Sequence, residues 1–549
     1  MIAAAVSGLV NSPACAAEAA NAPSDEKLLG ARVYNVRDFG AAGDGKTLDT
    51  AAVQAAIDAC NRDRGGTVLV PAGDFLVGTI ELKSNVTLHL SALGKLLGSP
   101  RREDYSRGNG IPPGNGNVVL LSAANAENVT IEGPGTIDGD GANFYTGVGD
   151  ATGPGGRAAQ TQPANVDRPH LMVFYRCTNL LLRDAFLTRA AYHCCRILQC
   201  KFVRIDGIRI YNRVNKNNDG FHFNDSQYVN IINCNVQCQD DACALFGSNK
   251  FVTVTNCSFS TRWSIFRFGG GECENITVSN CIIYDTYGCP IKMNCGGRSR
   301  FENIVFSNLI MKNVTGPICV NLSSRRRGGS TTAPSTEPSP RPIVRNIVFS
   351  GIRATVITQP INHPDIPFDV HTYPGETRQC IVVNGVGDEI IENVSFTDVQ
   401  VTYVGGGTVE EAAVRDVPQI GGEYFQIGTP PAYGMYARNV RGLTLNNVRF
   451  EMQTPELRPA VVFDNVQDAT VTNLAAQGNP QAESVLRFIN ARDVLLIGPR
   501  VLAPAAVFLQ IEGSANEQIV IDGGNISKAA KSLVSAHGAD EKAVTLRAI

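Results

Sequence analysis

Tyr228-Val229-Asn230-Ile231-Ile232-Asn233-Cys234 is followed by Phe251-Val252-Thr253-Val254-Thr255-Asn256-Cys257 and then by Asn275-Ile276-Thr277-Val278-Ser279-Asn280-Cys281. The Asn-Cys pair returns at intervals of 23 and 24 residues. Inside each copy β-branched and other apolar residues alternate with polar ones, and a period of two specifies strands rather than helices. Self-similarity at this length marks a solenoid in which one repeat is one coil.

The same short pattern runs through most of the chain. It reads NVTIEG from Asn128, NLLLRD from Asn179, FVRIDG from Phe202, NIVFSN from Asn303 and NIVFSG from Asn346. Later copies are NVSFTD from Asn393, LTLNNV from Leu443, ATVTNL from Ala469, VLLIGP from Val494 and IVIDGG from Ile519. Leucine-rich repeats share the length, but their leucine consensus and per-repeat helix are missing. A parallel β-helix accounts for both the period and the asparagines, whose amides can hydrogen-bond from coil to coil. Asn233, Asn256, Asn280 and Asn308 are therefore read as structural. The fold expected is all-β, a single right-handed parallel β-helix with a short N-terminal capping helix. That helix is marked by Leu48, Ala52, Val53, Ala56, Ile57 and Cys60 on one face, with Thr47 or Asp49 as N-cap. A solenoid needs its apolar end covered.

With 549 residues, 54 glycines, 28 prolines and 18% charged residues, the composition is that of a turn-rich β protein. A net charge of −3 gives no case for nucleic acid or an anionic membrane surface as partner. No apolar run is long enough to span a bilayer. Residues 1–30 are read as an export signal or disordered leader, because Ala14-Cys15-Ala16 and Cys15-Ala16-Ala17 fit a small-residue cleavage site, although no basic residue precedes the apolar stretch. Residues 31–549 are read as one β-helix domain, monomeric, with long loops near 325–342 and 405–433. A secreted or periplasmic location follows from the leader. Cys234, Cys257 and Cys281, among 16 cysteines, fall at equivalent repeat positions, as buried core residues do. Cys289 with Cys295, and Cys194 with Cys195, are close enough to pair, but spacing does not establish connectivity. No metal and no cofactor are expected.

Asn217-Asn218-Asp219-Gly220 precedes Asp240-Asp241 by nearly one repeat, 21 and 22 residues from the first aspartate. Neighbouring coils would bring these carboxylates within about 4.8 Å, the spacing of adjacent strands. Hydrolysing a glycosidic bond needs a proton donor on one side and an activated water on the other, which paired carboxylates supply. Asp240 and Asp241 point to opposite faces of a regular strand, so joint action requires a bend between them. Crowded like charges also raise one member's pKa, which suits a donor.

These residues resemble family 28 of the glycoside hydrolases, the polygalacturonase-like β-helix enzymes, which carry an NTDG segment, a DD pair, a GHG segment and an R-I-K segment. Tyr34 to Cys60, Gly65 to Gly73, Gly135 to Gly141 and Arg168-Pro169 add to the resemblance, which spans about residues 32 to 530. It implies inverting hydrolysis of a pectin-type polysaccharide or oligosaccharide. Asp240 would be the general acid, Asp219 and Asp241 would position and deprotonate water, Asn217 would hold the site in shape, and Lys292 would contact the reacting sugar. Two elements depart. Thr261 to Gly269 replaces the GHG segment without a histidine, and Pro290 stands where the arginine is expected. Arg262 or Arg267 could supply the missing positive charge, since Arg suits carboxylate recognition. Alternatively the reacting sugar is neutral or differently linked. Trp263, the only tryptophan, is a candidate sugar platform, and His222 a candidate cleft residue; His170, His193, Tyr424 and Tyr433 rank below them. Two other functions stay open. One is a Ca²⁺-dependent lyase with Arg262 or Arg267 as base; the other is a non-catalytic carbohydrate-binding β-helix.

Overall fold

The computed structural model describes residues 30–113, 118–144, 168–323, 341–359, 373, 375–420 and 423–547. The leader expected over residues 1–30 lies outside them except for its last residue, as does most of the loop expected at 325–342. Among the described residues no helix is long and apolar enough to cross a membrane.

Each coil contributes a strand to three ladders. In one coil these are Gln227–Ile232, Asn235–Cys238 and Cys243–Phe246; in the next they are Lys250–Thr255, Ser258–Thr261 and Phe266–Gly269. Val229 pairs with Val252, Val236 with Phe259 and Cys243 with Phe266, all in parallel register. The first ladder runs from Val33–Asn35 to Val544–Arg547, and the long strands Glu272–Thr286 to Met435–Met452 bend around the first corner to serve two ladders. This is the parallel β-helix. Val229, Ile231, Val252, Val254, Ile276 and Val278 point inward and are buried. Burying each such side chain stabilises the fold by about 1.5–3 kcal/mol, so coil after coil adds to one core.

The corner after the first strand of each coil explains the asparagines. Asn233, Asn256, Asn280 and Asn308 have φ of 57°, 55°, 55° and 54°. Asparagine is among the few side chains that tolerate this left-handed region. The amide of Asn308 donates to Asn280 at 3.1 Å, and that of Asn233 to Asp206 at 3.0 Å. A second row near the start of the first strand carries Asn346 bonded to Asn303 and Asn393 bonded to Asn346, both at 3.1 Å. Where Phe202, Tyr228 and Phe251 take that position, the rings stack at 5.0 Å instead.

The capping helix α1, Thr50–Arg62, follows Asp49 and buries Val53, Ala56, Ile57, Ala59 and Cys60 against the first coils. Leu48 differs from expectation: it ends the strand Asp44–Leu48 and is 40% exposed. The Asp49 carboxylate does not cap the helix. It accepts from the Ala42 and Gly43 amides at 2.7 and 2.9 Å and so ties the entry loop to the helix start. The fifteen described cysteines are all buried free thiols, including Cys194, Cys195, Cys289 and Cys295.

Candidate active site

The turns from the second ladder to the third carry the predicted chemistry. They comprise residues 189–194, 213–220, 239–242, 262–265 and 287–290 on five consecutive coils. Phe221 pairs with Cys195 on one side and Cys243 on the other. The Gly220 amide bonds to Asp241 O and the Cys194 amide to Asp219 O, at 2.9 and 3.1 Å. Carried back two residues, that register puts His193, Asp219 and Asp241 in one row on successive coils. Asp240 stands one residue aside. The backbone does bend there, since Gln239 to Ala242 joins two strands rather than continuing one.

Asn218 braces this turn. Its buried side chain donates to Ala190 O and Tyr192 O at 3.0 and 2.8 Å and accepts from the Asn215 amide at 2.7 Å. Asn217, at φ 55°, donates to Asp240 Oδ2 at 3.2 Å and accepts from Arg168 Nη2 at 3.1 Å. The Asp241 amide donates to Asp240 Oδ1 at 2.9 Å. Asp240 is thus gripped at both oxygens. Burial first, then the charges of Asp219 and Asp241, push its pKa well above the carboxylate range, with the nearby Lys292 pulling the other way. Asp219 is raised likewise, by burial and then by Asp241, against Arg196 and Arg168. Asp240 and Asp219 therefore retain protons where isolated aspartates have lost them.

His222 faces Asp219, Nδ1 to Oδ2 at 2.7 Å, and its ring lies between those of His193 and Phe246 at 4.7 and 5.1 Å. Burial and the Arg196 charge depress its pKa to about 3, so the imidazole is neutral. His193 Nε2 lies 3.7 Å from the same Asp219 oxygen, closer to the chemistry than its rank in the sequence reading. His193, Asp219 and His222 are the one group among the described residues with ligand atoms near enough to hold a metal ion. The two imidazole planes are only 17° apart. Their lone pairs run side by side rather than converge, which is poor geometry for a shared ion. His170, with its ring against Tyr192 and His193, is fully buried. Tyr433 packs against Tyr403 with its hydroxyl on Gln477 O, outside the site.

The basic residues are placed differently from expectation. Arg262 donates to Tyr287 O at 2.6 Å and pairs with the buried Glu376 at 3.2 Å. Arg267 Nη2 and Lys292 Nζ grip the two oxygens of Glu423, each at 2.9 Å. Trp263 is no open platform. Lys292 Nζ sits 4.1 Å from its ring centroid, and Tyr373, Tyr424 and Phe425 surround it edge-on. Glu376 and Glu423 come from two excursions between second- and third-ladder strands, residues 357–380 and 404–434. The second was legible as a long insertion, whereas the first was not, and no motif marks either glutamate.

Three carboxyl groups gathered on two adjacent β-helix coils, two of them with pKa raised well above the carboxylate range, are the kind of set that hydrolysis of a glycosidic bond requires. The model of the Glycosyl hydrolases family 28 matches residues 60–364, more than half of the chain. The chain belongs to that family. Polygalacturonase-2 of Solanum lycopersicum is 26% identical over 372 residues, covering 65% of this chain and 76% of the relative. The exo-poly-alpha-D-galacturonosidase of Dickeya chrysanthemi is 29% identical over 358 residues, covering 54% and 58%. The family 28 exopolygalacturonase of Yersinia enterocolitica has the same fold, with a TM-score of 0.56 at 22% identity over 80% of this chain and 78% of that one.

Proposed function

We propose that this glycoside hydrolase cleaves a pectin-type polysaccharide or its oligosaccharides with inversion at the anomeric carbon. The observation that carries this is the held Asp240 carboxyl. Both its oxygens are fixed by hydrogen bonds, and burial together with the crowding by Asp219 and Asp241 favours a proton on it for the leaving oxygen. Asp219 and Asp241, in register one coil apart, face the opposite side of the bond; Asp219 positions the attacking water and Asp241 takes up its proton. His222 keeps Asp219 oriented, and Asn217 transmits the Arg168 contact to Asp240. The relatives named as polygalacturonases support a galacturonate-containing polymer as substrate. Such a polymer acts outside the cell, so we place the protein as an exported monomer.

The lyase reading loses its base. Arg262 and Arg267 are each held by a glutamate and are largely buried, so neither is placed to take a proton from a sugar. The test is digestion of homogalacturonan and branched pectin with product analysis. Reducing ends without an unsaturated ultraviolet-absorbing product, formed with inverted configuration, are expected. Asp240→Asn should lower kcat by about 10²–10⁴-fold, the usual worth of a general acid. Undiminished turnover by that variant would remove Asp240 from the mechanism.

A further inference from the structure

His222, Ala244, Arg267 and Lys292 are successive partners on the third ladder, so they form one row on one face. The row starts at the histidine that touches Asp219 and ends at the lysine whose charge reaches Asp240. Arg267 and Lys292 therefore lie along the floor of the site, one strand apart. Two adjacent cations with parallel donors make a receptor for a carboxylate. In this chain the receptor is already filled. One oxygen of Glu423 takes Arg267 and the other takes Lys292. Lys292 and Arg267 are 0% and 5% exposed, while Glu423 is 28% exposed, so an arriving sugar meets the glutamate and not the cations.

We propose that Glu423 sets the specificity of the site by occupying, from within the chain, the place a uronate carboxylate would take beside Lys292 and Arg267, so that the sugar bound at this position is an uncharged one. This rests on the Asp219–Asp240–Asp241 cluster being the hydrolytic centre. A charged sugar at this position meets Glu423 as a like charge at short range. It also finds the two donors already engaged. An uncharged ring, either a neutral sugar or a uronate masked as its ester, meets no such repulsion from Glu423. Arg267 Nη1 is buried with no hydrogen-bond partner among the described residues, so the guanidinium keeps donor capacity, and removing Glu423 would free further donors.

The test compares wild type, Glu423→Gln and Glu423→Ala on an oligogalacturonide and on its methyl ester, two ligands that differ only at the carboxyl group. Two readouts are taken: kcat/KM, and Kd for the same ligands with each Glu423 form in an Asp240→Asn background. Wild type should favour the ester. Glu423→Ala should move the ester-to-acid ratio towards the acid by at least roughly tenfold in both readouts, as expected for charges at this distance, with Glu423→Gln in between. Glu423→Asp, which keeps the charge, should keep the preference. A wild type that favours the free acid, or variants that change both ligands in the same proportion, would overturn the proposal. A shifted Kd ratio with no turnover by any form would sink the hydrolase reading while leaving the selectivity in place. Turnover with an unshifted ratio would do the reverse, and failure of wild type to bind either ligand would overturn both.

Discussion

Asp219 is a buried carboxyl whose proton is held by its surroundings, and that has a consequence for stability. Its pKa in the folded chain lies above the unfolded value of about 3.9. Below that value both states are protonated and the site costs nothing. As pH rises towards the folded pKa, the unfolded state has released a proton that the folded state still holds, and stability falls throughout that interval. Asp219→Asn removes the carboxyl whose ionisation favours the unfolded state, and the neutral His222 can accept from the new amide. The variant should therefore be inactive yet more stable than wild type at pH 7.5, by roughly 1–3 °C in Tm. The gain should vanish near pH 4. Melting curves at the two pH values check this; an equal shift at both would show that packing rather than charge is responsible.

At the scale of single turns the coil corners are as specified as the site. Asn308 combines a φ of 54° with an amide bond to Asn280 and stands below Gly351, whose own φ is 64°. A Cβ on Gly351 would lie 2.7 Å from Asn308 Oδ1, so the glycine is what lets the two corners stack. Asn308→Ala loses the bond and strains the backbone, and should cost about 1–3 kcal/mol in denaturant unfolding. Asn308→Gly keeps the conformation and should cost less. The reverse order would mean that the side chain, not the dihedral angle, selects asparagine here. These corners were legible because they repeat: Asn233, Asn256 and Asn280 announced the period before any strand was assigned. The same period put Asp219 and the Asp240-Asp241 pair on neighbouring coils, but not which of the pair shares the row of Asp219, which the register of the third ladder decides. Leu48 was misplaced because one apolar residue at a helix boundary fits either element.

For the whole molecule the contrast is between what recurs locally and what returns from afar. The three aspartates lie within one repeat of each other. Glu376 meets Arg262 across 114 residues of chain and Glu423 meets Arg267 across 156, and no periodicity encodes such pairings. Their partners were readable as spare cations, but the carboxylates that neutralise them were not. The excursion that delivers Glu423 is fastened to the outer face of the third ladder at sites remote from the aspartates. Arg438 donates to Val417 O and Pro418 O at 2.7 and 3.0 Å. Arg415 reaches both oxygens of the buried Glu512, at 2.7 and 2.8 Å, and Glu483 at 2.8 Å. Glu512 keeps Gln510 as a partner when Arg415 is lost, so the coil beneath should hold. Arg415→Ala should therefore loosen the excursion by about 1–3 kcal/mol without unfolding the solenoid. Hydrogen exchange would read this as faster exchange confined to residues 404–434, with the amides of Gln227–Ile232 and Lys250–Thr255 unchanged. Because Glu423 rides on the same excursion, the variant should also lose part of the discrimination between acid and ester. Faster exchange throughout the ladders would instead make Arg415 a support of the coils, and discrimination preserved alongside a loosened excursion would detach Glu423 from that anchor.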